Sequence, residues 1–133
     1  MNRVLIDTNV YSAFKLGEPA VVQAFRTFEF IGIDTTVIGE LLAGFGSGKK
    51  AGENGKALQA FIDTPRVHFL PHDFNTAEYY SVVVCQLRRN GKPIPTNDVW
   101  IAASAFRHGL ALYTYDKHFE SVQGLALVRT ELK

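Results

Sequence analysis

The stretch that most constrains this chain is Val4-Leu5-Ile6-Asp7-Thr8-Asn9. Three consecutive aliphatics read as a strand buried on both faces, as at the centre of a parallel sheet. The run stops abruptly at a carboxylate. In open α/β sheets the carboxyl ends of central strands face the ligand crevice, so Asp7 belongs at its mouth. An acid or threonine here can equally cap the next helix. The remaining acids decide between these uses.

Further along, strands alternate with helices. Phe30 to Ile33 reads as the second strand, ending at Asp34, and Val67 to Leu70 as the third. Leu110 to Thr114 is the fourth and Leu125 to Arg129 the last. Helices are expected over Val10–Leu16, from Pro19, over Val37–Phe45 capped by Thr35 or Thr36, over Ala57–Ile62, over Ala77–Arg89, and over Asp98–His108 capped by Thr96-Asn97. Strand-helix alternation with long connections implies a parallel sheet with helices on both faces, a three-layer α/β sandwich. The 133 residues suit one domain, 1–133, able to bury a real core.

Composition removes several function classes. At net charge +1 there is no global basic field, so nucleic acid would be held by local Lys and Arg or by a second subunit. No apolar run approaches the ~18 residues of a membrane span, and the stretch before Asp7 is too short for a signal peptide. The single cysteine, Cys85, falls in the run Val82-Val83-Val84-Cys85. It is expected in the core, compatible with a reducing cytoplasm.

Gly44 to Lys56 is glycine-rich and polar, and resembles a phosphate-binding loop only at a glance. Ala43 stands where that loop needs its first Gly, and Lys50 where it needs Ser or Thr. The segment reads as a mobile connection exposing Lys49, Lys50 and Lys56. Arg88, Arg89 and Lys92 cluster at a helix end, where they complement the helix dipole. With Lys117 these cations are the candidate nucleic-acid contacts.

Four acids share one edge of the expected sheet. Asp7 and Asp116 follow strands, and Glu40 lies on the helix after the second strand. Asp98, at the start of the helix before the fourth strand, needs the connector Gly91–Asn97 to return the chain to that edge. Crowded carboxylates raise one another's pKa, and no matching set of Lys or Arg neutralises them. A hard divalent cation, Mg²⁺ or Mn²⁺, is the economical explanation. Zinc would want close His or Cys, whereas His68, His72, His108 and His118 are scattered. Mg²⁺ held by carboxylates and a substrate phosphate points to phosphodiester hydrolysis, with one cation or a second ~4 Å away. Thr8, Asn9 and Thr114, at the same edge, are candidates to orient carboxylates or hold the attacking water.

The segments Val4–Asn9, Glu40-Leu41-Leu42-Ala43-Gly44, Asn97–Ala103 and Thr114–Phe119 resemble, in order and separation, the PIN-domain ribonucleases. They are most similar to VapC-type toxins of toxin–antitoxin pairs. The resemblance implies a parallel sheet of strand order 3-2-1-4-5. It implies Mg²⁺ or Mn²⁺ held by Asp7, Glu40, Asp98 and Asp116, which would be the catalytic set, with RNA as substrate. It also implies a homodimer and a small antitoxin whose tail blocks the site. A haloacid-dehalogenase phosphatase would need a second Asp where Asn9 stands, and a receiver domain an acidic pair and a late lysine that are not evident. Rival readings are a non-toxin RNA-processing nuclease and a non-catalytic RNA-binding module, which would be expected to have lost one or more acids.

Overall fold

The structure, a computed structural model, describes residues 2–46 and 48–131. Five parallel strands form one sheet: β1 (Arg3–Ile6), β2 (Phe30–Asp34), β3 (Val67–Leu70), β4 (Ala111–Tyr113) and β5 (Leu127–Val128). Their order is β3-β2-β1-β4-β5, so the most apolar strand lies at the centre. Val4, Leu5 and Ile6 have no solvent exposure, as a strand covered on both faces requires.

Six helices complete the layers: α1 (Thr8–Lys15), α2 (Pro19–Thr27), α3 (Thr35–Phe45), α4 (Ala51–Ile62), α5 (Phe74–Arg89) and α6 (Thr96–His108). A 3₁₀ turn, Lys117–Ser121, links β4 to β5. α6 lies against β1 and β4, and α5 packs along α6. The alanines Ala102, Ala103 and Ala105 of α6 are fully buried, and their small size brings this helix close to the sheet. Gly32 has a similar use in β2. A Cβ there would meet Leu70 Cδ1 at 2.6 Å and Leu110 Cδ1 at 3.2 Å.

Four local expectations are corrected. Ala51 to Lys56 is helix, not loop: α4 starts at Ala51, with Glu53 in its first turn complementing the helix dipole and Leu58 anchoring it in the core. α3 is capped by Asp34 rather than Thr35 or Thr36, because the Asp34 carboxylate reaches the Val37 amide at 2.9 Å. Thr96 and Asn97 lie inside α6, whose N-cap is Pro95 with no side-chain cap bond. Cys85 is exposed. α5 buries the face of Thr76, Val83 and Leu87, and the helical period turns residue 85 away from it.

Candidate active site

The ends of β1, β2 and β4 each deliver an acid to the same edge, and the local reason is capping. Asp7 follows β1 and caps α1, its Oδ1 accepting from the Thr8 amide at 2.8 Å. Asp116 follows β4 and caps the 3₁₀ turn, its Oδ1 accepting from the His118 amide at 2.9 Å. In both cases the cap takes Oδ1 and leaves Oδ2 on the crevice side. Capping and site-forming are therefore one arrangement here.

The four expected acids converge. Asp7 feels the negative charges of Asp98 and Glu40, and Asp98 those of Asp116 and Glu40. Asp7 is 5% exposed and Asp98 8%. Burial, more than these charges, pushes the Asp7 carboxyl up to about 6, against the opposing hydrogen bonds from Thr114 and the Thr8 amide. Burial likewise raises the Asp98 carboxyl, with the His118 hydrogen bond opposing it.

The expected supporting residues divide. Thr114 is buried, and its hydroxyl donates to Asp7 Oδ2 at 2.6 Å while accepting from the Asp116 amide at 2.9 Å. Thr8 donates to Glu40 Oε1 at 2.7 Å. Asn9 acts one step away, its Oδ1 accepting from the Tyr115 amide at 3.3 Å. Of the candidate RNA contacts, Lys117 follows Asp116 directly. Arg88 lines a cleft of about 190 Å³ together with Thr96, at the start of α6. Lys49, Lys50, Lys56, Arg89 and Lys92 are exposed, with no contact to the acids.

Sequence reasoning missed several members of this edge. Asn97 Nδ2 donates to Glu40 Oε2 at 3.3 Å, so both Glu40 oxygens are held. His118 Nδ1 lies 2.9 Å from Asp98 Oδ2 and 3.3 Å from Asp116 Oδ1. The Asp98 hydrogen bond first, then the Asp116 charge, raise its pKa above the ordinary histidine value. Asp34 is fully buried and sits one strand over from Asp7. The repeated pattern Ile6-Asp7-Thr8 and Ile33-Asp34-Thr35 was the available signal for it.

The donor set fits a hard cation. Among the described residues no Lys or Arg side chain pairs with any of the four carboxylates; His118 does, and Arg129 reaches only the Asp116 backbone carbonyl, at 3.2 Å. Asp98, Asp116 and His118 each offer a ligand atom, all within 4.8 Å of one another. A cation held there would relieve the repulsion that Asp98 bears from Asp116 and Glu40.

The PIN domain model matches residues 4–125. Among characterised proteins, the chain is 28% identical over 132 residues to Ribonuclease VapC4 of Mycobacterium tuberculosis, covering 96% of this chain and 97% of that protein. It is 29% identical over 133 residues to Ribonuclease VapC1 of Rickettsia felis, covering 98% of each. Among solved structures, it resembles a chain of the Rickettsia felis VapBC2 complex bound to a DNA fragment from their promoter. The TM-score is 0.85 at 23% identity, over 96% of this chain and 98% of that one. It resembles a chain of the DNA-bound Salmonella typhimurium VapBC equally well, at TM-score 0.85 and 23% identity, over 97% of this chain and 98% of that one. With the match running from β1 past the 3₁₀ turn and taking in all four acids, the chain belongs to the PIN-domain family.

Proposed function

We propose that this protein is a Mg²⁺- or Mn²⁺-dependent endoribonuclease and the toxin of a type II toxin–antitoxin pair. The observation that carries the reading is the convergence of Asp7, Glu40, Asp98 and Asp116 without a Lys or Arg counter-charge. The names of the two ribonuclease relatives support the choice of RNA.

Asp7, Glu40, Asp98 and Asp116 would hold the cation. When bound, it supplies positive charge to a scissile phosphate and lowers the pKa of a nearby water. The chain's own residues do the rest. Thr114 fixes Asp7 and the Asp116 backbone with one hydroxyl, so these two acids keep their separation. Thr8 and Asn97 grip the two Glu40 oxygens and stop the side chain from rotating away. Asn9 ties the start of α1 to the segment after β4. Lys117, next in sequence to Asp116, and Arg88 would meet the RNA backbone, and Lys49, Lys50, Lys56, Arg89 and Lys92 would add weaker, exposed charge.

The partners are RNA, a cognate antitoxin and a second copy of the chain. Outward side chains of α5 support an oligomer: Phe74 is 80% exposed and Val82 63%, which is costly to leave in water. The whole chain acts as one nuclease domain. No helix among the described residues is long and apolar enough to cross a membrane, and cytoplasmic RNA is the proposed target.

The test is RNA cleavage by purified protein with Mg²⁺ or Mn²⁺, with excess EDTA, and with Asp98→Asn. Cleavage is expected only for wild type with metal. Full activity in EDTA would overturn the metal reading. RNA binding without cleavage under every condition would make the protein a binding module.

A further inference from the structure

The neighbouring strand carries a second buried acid that the proposed chemistry does not use. Asp34 closes β2, has no solvent exposure, and contacts no Lys or Arg among the described residues. Its Oδ1 accepts from the Val37 amide of α3 at 2.9 Å. Its Oδ2 accepts from Ser104 Oγ of α6 at 2.8 Å and lies 3.1 Å from His72 Nε2. Ser104 is 1% exposed.

His72 extends the network. Its Nε2 lies 3.2 Å from Thr36 Oγ1, and its backbone amide donates to Thr35 Oγ1 at 3.2 Å. Its ring stacks on Trp100 of α6, with centroids 4.7 Å apart and planes at 15°. One carboxylate and one imidazole therefore join β2, the first turn of α3, the middle of α6 and the loop after β3.

The position of this junction is what matters. α3 carries Glu40 six residues after Asp34, and α6 carries Asp98 six residues before Ser104. An N-cap alone needs only the Val37 bond. It does not need a buried serine on a different helix, nor a histidine clamped against that helix's tryptophan. Satisfied buried polar networks fix geometry more than they add stability, because each member is costly if left unpaired.

We propose that Asp34, Ser104 and His72 are positioning residues that set the spacing between Glu40 and Asp98, and through it the affinity of the acid site for a divalent cation. The proposal rests on the reading of the four acids as a cation site. None of the three touches the cation or the RNA in this scheme. They act by fixing α3 and α6 relative to each other.

The test measures MnCl₂ binding by calorimetry, without RNA, on Ser104→Ala, Asp34→Asn, His72→Phe and His72→Gln, with circular dichroism and melting curves alongside. His72→Phe keeps a ring against Trp100 and loses the nitrogen. His72→Gln keeps a donor and loses the ring. Mn²⁺ affinity is expected to fall by roughly threefold to tenfold in Ser104→Ala and His72→Phe, and to return most of the way in His72→Gln. Folded Ser104→Ala and His72→Phe proteins that melt lower yet bind Mn²⁺ as wild type does would overturn the proposal and leave the network purely structural. Should Asp34→Asn fail to fold, these two milder variants decide. Wild type and Asp98→Asn binding Mn²⁺ equally is a different failure, in which the cation site itself is wrong and the positioning role falls with it.

Discussion

The Thr114 hydroxyl donates to Asp7 Oδ2 at 2.6 Å across 107 residues of sequence. The same oxygen accepts from the Asp116 amide. Replacing it with a methyl group of the same shape orphans a buried carboxylate oxygen and a part-buried amide at once. Thr114→Val is expected to destabilise the protein by about 1–3 kcal/mol and to abolish cleavage, while Thr114→Ser stays close to wild type. Urea denaturation and an RNA cleavage assay check both.

The Asp7 carboxyl, at about 6 in the folded chain against 3.8 as a free side chain, makes the metal-free fold sensitive to pH. Between those values the native state binds the proton more tightly than the unfolded chain. The contribution is therefore fully present below pH 3.8 and is lost as pH rises through 6. Its ceiling is about 3 kcal/mol. In EDTA at pH 7.5, Asp7→Asn should be more stable than wild type by up to that amount. At pH 4 the advantage should be nearly gone. Equal stability at both pH values would count against burial of an ionised Asp7.

Asp98 extends the same argument, and Asp116 enters it through the charge it sets beside Asp98. Asn can still accept the His118 amide bond that Asp116 makes, so neutralising either acid removes repulsion and keeps the turn. Asp98→Asn and Asp116→Asn should raise the melting point in EDTA, by on the order of 1 kcal/mol of stability, while abolishing cleavage. Mg²⁺ should then stabilise wild type more than either variant. If Asp116→Asn melts lower than wild type in EDTA, Asp116 serves the turn alone.

His118 shares the pH direction of Asp7 but acts by attraction, since here the fold favours the charged form. Its pKa is raised by Asp98 and Asp116, so its support is full below the ordinary histidine value. It fades as pH climbs through the raised one. His118→Ala is expected to lower the metal-free melting point more at pH 6 than at pH 8.5. A pH-independent loss would mean that the ring acts by contact and not by charge.

Gly32→Ala tests the packing beneath the site. The added Cβ would lie 2.6 Å from Leu70 Cδ1, so the Leu70 side chain must give way within the core. A loss of about 1–3 kcal/mol is expected. Asp34 lies two residues on, so Mn²⁺ affinity should fall as well.

The sheet and the four acids were legible because they rest on strong local signals. A fully apolar strand such as Val4–Ile6 has few alternatives, and an acid at its end is conspicuous. Ala51–Lys56 was misread because its glycines and lysines look like a loop, while the anchoring contact of Leu58 lies beyond the segment. Cys85 was misread because an apolar run hides which residue the helix turns outward. Asn97, His118 and the Asp34 junction were not legible for a different reason. Each acquires its partner only across the fold, over 57 residues for Asn97 and Glu40 and 70 for Ser104 and Asp34.

The distance along the chain between Asp7 and Thr114 also sets an order of events during synthesis. A ribosome makes Asp7 first and must then deliver β4, the fourth of the five strands, before that carboxylate finds its hydroxyl partner. Asp116 emerges later still. Contacts this remote in sequence form late. The growing polypeptide thus carries an incomplete centre until most of it has been translated.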